Sequence, residues 1–212
     1  MTTPSQKPGG KTIADWLAQP EEARLELIDG EFIEKAAPTI EHGMAQAGTA
    51  MRIRDAFNRK PGGPGGPGGW WIGSEIDIVL DGRGYRPDLV GWRRERMPVI
   101  PKERPVTVRP DWICEIVSES LDAARLGAPP VAGKAGSSAR STDTVKKLRR
   151  YHQSGVPHYW IIDQLDRTLT VHRHGLDGYL IALRAEADER VRAEPFDAIE
   201  LHVAVLLGDD PD

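Results

Sequence analysis

The chain has 212 residues, 39% hydrophobic and 28% charged, proportions of a globular protein long enough to bury a core. Its formal net charge of −4 weighs against a strong, independent nucleic-acid binder, because basic residues that neutralise phosphates supply most of that affinity. No run of about 18 apolar residues offers a membrane span, and one cysteine, Cys114, excludes an internal disulfide and suits a reducing cytoplasm.

Residues 1–10 lack the apolar stretch of a secretory signal and read as a disordered tail, leaving a single domain over 11–208. KTIADWLAQ (11–19) has the spacing of a short amphipathic helix, and LELIDGEFIEK alternates around Asp29-Gly30, a two-residue hairpin signal. A helix is expected from about Thr39 to Asn58. KPGGPGGPGG (60–69) cannot hold helix or central strand and predicts a flexible loop. WWIGSEIDIVL (70–80) and YRPDLVGW (85–92) read as strands, turned at Asp81-Gly82 and Gly84.

RPDWICEIVS supplies the next strand, in which Cys114 reads as a buried structural thiol. The stretch 121–141, rich in alanine, glycine and serine, has no apolar periodicity and predicts a flexible surface insertion. TDTVKKLRRYHQSG (142–155) is a helix capped by Thr142 or Asp143 and stopped at Gly155. HYWIIDQLDRTLTVHRH makes two strands around a turn near residues 164–167, and GYLIALRA and IELHVAVLL add more. The order implies an α/β or α+β fold: a mixed sheet flanked by helices, with a strand-rich C-terminal part.

The chemistry concentrates in the strand 111–118. With a period of two, Asp111, Ile113, Glu115 and Val117 share one face. Glu115 stands mid-strand among apolar residues, where an unpaired carboxylate is costly, so it needs a cation, a metal or hydrogen-bond donors. Asp111 lies roughly 13 Å away along the strand, too far to share one divalent ion. Asp88 opens a separate apolar segment, and neighbouring strands run about 4.8 Å apart, a gap that one Mg²⁺ bridges between two carboxylates. The alternative is that Asp88 only caps a turn. On the following helix Val145, Leu148 and Tyr151 mark the inward face; Lys147 flanks it and Lys146 points to water. Lys147 either reaches the carboxylates or snorkels at the flank.

LELIDGEFIE, the EHG that opens the first long helix, RPDLV, RPDWICEIVSES, DTVKKLRRY and SGVPHYWIIDQLDRTLTVHR together resemble the Uma family of putative restriction endonucleases, within the PD-(D/E)XK nuclease superfamily. The resemblance covers roughly residues 12–206. It implies a restriction-endonuclease-like fold and a Mg²⁺-dependent endonuclease acting on DNA, with Mn²⁺ as an alternative ion. It makes Asp88 and Glu115 the catalytic, metal-binding acids and Lys147 the lysine that activates or orients water. Glu41 resembles an additional catalytic acid. Val117 occupies the usual lysine position, which fits a lysine displaced onto the helix. Ser118-Glu119-Ser120 and the 121–141 insertion replace a shorter Ser-Pro-Ser link to that helix.

Two other readings stand beside the nuclease: a catalytically inactive nuclease fold kept for binding or partner recruitment, and a metal-dependent hydrolase of smaller phosphoesters. A homodimer suits the cutting of both strands of a duplex, and the location expected is cytoplasmic. The basic clusters RRERMP (93–98) and KKLRRYH (146–152) read as solvated faces. His172 and His174 read as surface histidines, and Asp163 as a turn residue. Trp70 and Trp71 read as strand anchors. His42 is open between capping and substrate contact.

Overall fold

The computed structural model describes residues 9–118 and 135–210, with backbone alone over 135–143. Residues 1–8 of the expected 1–10 tail and residues 121–134 of the expected insertion lie outside the described residues. A short helix α1 (Ile13–Leu17) begins at Thr12, which exchanges hydrogen bonds with Asp15 in a capping box. It leads into the hairpin β1 (Leu25–Ile28) and β2 (Glu31–Glu34). Ile28 pairs with Glu31, so Asp29 and Gly30 form the two-residue loop, both at positive φ. This is the turn that Asp-Gly favours.

Helix α2 (Ile40–Phe57) is capped by the Thr39 hydroxyl, which accepts from the His42 amide. The glycine–proline tract after it holds neither helix nor strand. It folds back on the helix end, where Gly68 N donates to Ala56 O and Gly69 N to Arg59 O.

The expected strand 70–80 is two strands, β3 (Trp70–Ser74) and β4 (Ile78–Leu80), which join different sheets. Glu75 adopts φ +54 between them, and Asp77 turns inward to pair with Arg86 and Arg104. A buried ion pair thus breaks what the alternation alone reads as continuous. A second Asp-Gly loop, Asp81-Gly82, joins β4 to β5 (Arg83–Tyr85). Strands β6 (Leu89–Arg93) and β7 (Trp112–Val117) follow.

Helix α3 (Ala135–Gln153) starts seven residues before the expected cap, so the latter part of the presumed insertion is helical. Ala135, Ala139 and Arg140 are good helix formers, and no proline interrupts the stretch. The chain continues as β8 (His158–Asp163), β9 (Thr168–His174), β10 (Tyr179–Glu186) and the short β11 (Arg190–Val191) and β12 (Leu201–His202). The expected strand IELHVAVLL holds only β12; Val203–Leu206 form a helical turn, α4. Val203, Val205 and Leu206 are all buried there, and an all-apolar run carries no period to separate strand from helix.

The main sheet has the order β10-β9-β8-β7-β6-β3, and a smaller one the order β2-β1-β5-β4. Strand β7 runs antiparallel to β6 and parallel to β8. A parallel pair needs a long crossover, and α3 supplies it. One face of the main sheet packs Trp112, Cys114 and Ile116 against α2 residues Ala45, Ile53 and Phe57. Phe196 sits at the centre of that core, its ring against Phe57, Trp70, Trp112 and Trp160. Gly48 lets α2 approach α4: a Cβ there would lie 2.4 Å from Val205 O. The opposite face packs Val90, Ile113 and Tyr159 against Tyr151 of α3 and against Ile28, Ile78 and Tyr85 of the small sheet. His172 is buried on this second face, contrary to the surface expectation, because the rings of Tyr159 and Tyr179 cover it. His174 is exposed and stacks on His152.

Candidate active site

The strand period divides β7 as expected: Trp112, Cys114 and Ile116 enter the core under α2, while Ile113 and Glu115 face α3. The register pairs Leu89 with Cys114, so continuing it by one position brings Asp88 opposite Glu115. Asp88 Oδ2 accepts from the Ile116 amide at 2.7 Å. The two carboxylates thus adjoin at the end of a shared ladder, and both are buried.

Lys147 comes from α3. The half-buried Thr144, buried Lys147, half-buried Leu148 and buried Tyr151 form the inward face, while Val145 is 44% exposed. The helix is therefore rotated from the expected setting, and Lys147 lies on the inward face rather than at its flank. Its Nζ stands 3.0 Å from Glu115 Oε1 and 3.5 Å from Glu26 Oε1. Tyr151 donates its hydroxyl to the same Glu115 oxygen at 2.8 Å. Glu115 also lines the cavity described below.

Asp88 has its own cation. Lys35, just past β2, places Nζ 2.9 Å from Asp88 Oδ1 and donates to Arg86 O at 2.7 Å. His42 Nε2 lies 3.5 Å from the same Oδ1, so its ring faces the acid. Ser118 Oγ lies 3.4 Å from His42 Nδ1. Gln46, on the next turn of α2, donates to Asp88 O at 2.8 Å. Lys35, His42, Asp88 and Ser118 border a cavity of about 400 Å³, together with Glu26, Glu115 and Lys147. A larger hollow of about 930 Å³ shares only Arg24 with it, and its inner acid, Asp77, is already paired with Arg86 and Arg104.

The two acids differ electrically. Burial pushes Asp88 upward, but Lys35, His42 and the Ile116 amide outweigh it, so Asp88 titrates well below the ordinary carboxylate range. Burial also pushes Glu115 upward; Lys147 opposes this without cancelling it, and Asp88 adds to it, so Glu115 is raised. Two carboxyls driven apart in this way suit a site that holds charge at one and proton affinity at the other. Burial raises the Tyr151 hydroxyl well above its ordinary value, which keeps it a donor.

Several candidates fall elsewhere. Glu41 is exposed and does not line the cavity; its backbone carbonyl accepts from Gln164, and it is the adjacent His42 that turns inward. Asp111 anchors the far end of β7 through Arg93 N and Arg96. Asp163 Oδ1 accepts from the amides of Leu165 and Asp166 in its turn. In the first basic cluster, Arg93 and Arg94 stack on Trp70 and Trp71 and Arg96 pairs with Asp111; this cluster braces the fold. Lys146 and Arg149 on α3 are exposed.

Lys35 and Glu26 carry no separate mark in the motifs of the sequence. For Glu26 the signal is the one that exposed Glu115: a carboxylate between Leu25 and Leu27 in a short apolar strand. Lys35 has no comparable signal, because its burial comes from the small sheet docking on the large one.

A divalent ion fits the donor set. Asp88 and Glu115 offer hard carboxylate oxygens on the wall of one cavity. Among the described residues, no three His, Cys, Asp or Glu side chains form a closed cage. Mg²⁺ does not require one, since it keeps several waters and takes one or two carboxylates. Among the described residues, no helix is long and apolar enough to cross a membrane.

Comparison with known proteins bears on the fold and the family. The crystal structure of a putative nuclease belonging to DUF820 from Anabaena variabilis ATCC 29413 superposes with a TM-score of 0.66 at 20% identity. The match covers 92% of this chain and 97% of that one, so the fold is shared. No match was found among curated proteins. A family model described as Uma2, putative restriction endonuclease, matches residues 12–204, a span that holds all the cavity groups named above, and the chain belongs to that family.

Proposed function

We propose that the protein is a Mg²⁺-dependent endonuclease hydrolysing DNA phosphodiester bonds in the cytoplasm, with Asp88 and Glu115 as metal ligands and Lys147 as the helix-borne lysine. The observation that carries this reading is the meeting of two strand carboxylates and a helix ammonium in one cavity. Structural roles alone do not call for buried acids gathered around open space.

The bound cation would supply Lewis-acid polarisation of the attacking water and the scissile phosphate. The chain's own groups do the rest. Tyr151 and Lys147 hold Glu115 by Oε1 at the wall of the cavity. The Ile116 amide holds Asp88 by Oδ2, while Lys35 and His42 face its Oδ1. Lys147 keeps a positive charge where the pentavalent transition state gathers negative charge. Exposed Lys146 and Arg149 offer the flanking backbone a positive helix face, a modest surface in keeping with the acidic net charge.

Supercoiled plasmid incubated with Mg²⁺, Mn²⁺ or chelator tests the reading. Cleavage should need metal and disappear in Asp88→Asn and Glu115→Gln; undiminished cleavage by either purified variant would dispose of it. One observation favours the non-catalytic reading: Lys35 already neutralises Asp88 at 2.9 Å, so the fold satisfies that acid unaided. A protein of that kind would bind neither Mg²⁺ nor Mn²⁺.

A further inference from the structure

We propose that Lys35 serves this centre as a second phosphate-facing ammonium, held on Asp88 Oδ1 until a divalent cation displaces it. The inference rests on the metal-dependent reading above and names a residue that reading does not use.

Two cations compete for one atom. Asp88 Oδ2 accepts from the Ile116 amide at 2.7 Å, whereas Oδ1 is the oxygen that faces the cationic groups Lys35 and His42. Lys35 Nζ sits 2.9 Å from that same Oδ1. A divalent ion on that oxygen would repel the ammonium and weaken its hold. The ammonium is then the group able to step aside.

It does not step far. Its main-chain amide is fixed to Arg24 O at 2.9 Å, and Nζ has a second, uncharged acceptor in Arg86 O at 2.7 Å. Glu75 Oε1 lies 4.0 Å away on the other side. Released from Oδ1, the ammonium keeps the carbonyl and has a proton to offer at the cavity wall. With a dication at the two acids, an anion is the natural acceptor there, and the anion that the reaction brings is the scissile phosphodiester. Lysine chemistry suits such a movement, since four methylenes carry a compact charge that can swing between two positions, which a rigid guanidinium fork does less readily. Lys35 and Lys147 would then hold positive charge on two sides of the phosphate, from the small sheet and from α3.

An ordinary stabilising ion pair predicts something different, and metal affinity separates the two. Mn²⁺ binding to the full chain is measured by calorimetry for wild type, Lys35→Met and Asp88→Asn, with plasmid cleavage at saturating Mn²⁺ alongside. Removing the competitor should tighten Mn²⁺ binding about tenfold, while loss of the phosphate contact should slow cleavage by about a hundredfold. Lys35→Gln keeps hydrogen-bond donors for Asp88 and the Arg86 carbonyl without charge; it should also tighten binding, and it decides the matter if Lys35→Met does not fold. Unchanged or weaker Mn²⁺ binding, or undiminished cleavage, in the folded variant overturns the role of Lys35 while leaving the metal site standing. Absence of Mn²⁺ binding by wild type, or equal binding by Asp88→Asn, overturns the metal site itself and this inference with it.

Discussion

Lys147 Nζ lies 3.0 Å from Glu115 Oε1 across 32 positions of sequence, and both side chains are buried. Lys147→Met keeps the stem and removes the charge. It should cost about 3 kcal/mol in urea unfolding, the low end for breaking a buried pair, because Tyr151 still donates to Glu115. Burial already raises Glu115 and Lys147 is the charge that restrains it, so the variant's carboxyl should rise further. Its Mn²⁺ affinity should therefore be weaker than wild type at neutral pH and recover as pH rises, which a calorimetric pH series would show.

Asp88 sets the acid limb of stability. Lys35, His42 and the Ile116 amide hold its folded-state carboxyl below the ordinary carboxylate range, despite burial. A depressed carboxyl contributes stability that is present above the unfolded value and lost as pH falls below it. Urea unfolding from about pH 6 down toward about pH 3 should show wild type losing stability more steeply than Asp88→Asn. Parallel pH dependences would refute this assignment.

Tyr151→Phe removes one oxygen and little else. The hydroxyl donates to a buried carboxylate at 2.8 Å, so its loss should cost about 1.5–3 kcal/mol. The carboxylate loses a donor to its charged form and should titrate higher. Under the proposed function, the alkaline shift of the cleavage profile should match that of Mn²⁺ binding; an unshifted profile would show that the hydroxyl serves packing alone.

Phe196→Ala tests the core under α2. Its ring touches four aromatic rings and is fully buried, so truncation should cost about 3–5 kcal/mol. Because this core lies on the face of the sheet away from α3, the folded variant should retain Mn²⁺ affinity within a few-fold.

The legible parts of the chain are those with local grammar. Asp29-Gly30 and Asp81-Gly82 announce their hairpins, and the alternation in β7 separates Glu115 from Trp112, Cys114 and Ile116. The cost of an unpaired carboxylate then points from Glu115 to Asp88 rather than to Asp111. Lys147 is legible only as a flank, because Val145 suggests an apolar face that the fold leaves exposed. Lys35 stays hidden for another reason: its neighbours Glu34 and Ala36 say nothing of Arg86 or Asp88, which meet it only through sheet docking. The EHG opening draws attention to Glu41, and helix rotation gives its place to His42.

Glu26 and Lys35 belong to the small sheet and its margin, whereas Glu115 lies within β7 of the large one and Asp88 just before its β6. The charged cluster is therefore also mortar between two plates. Any event that rearranges it should change how firmly the first hairpin clings to the body of the molecule, and amide hydrogen exchange along β1 and β2 should register occupancy of the cavity even when no bond in a substrate is cut.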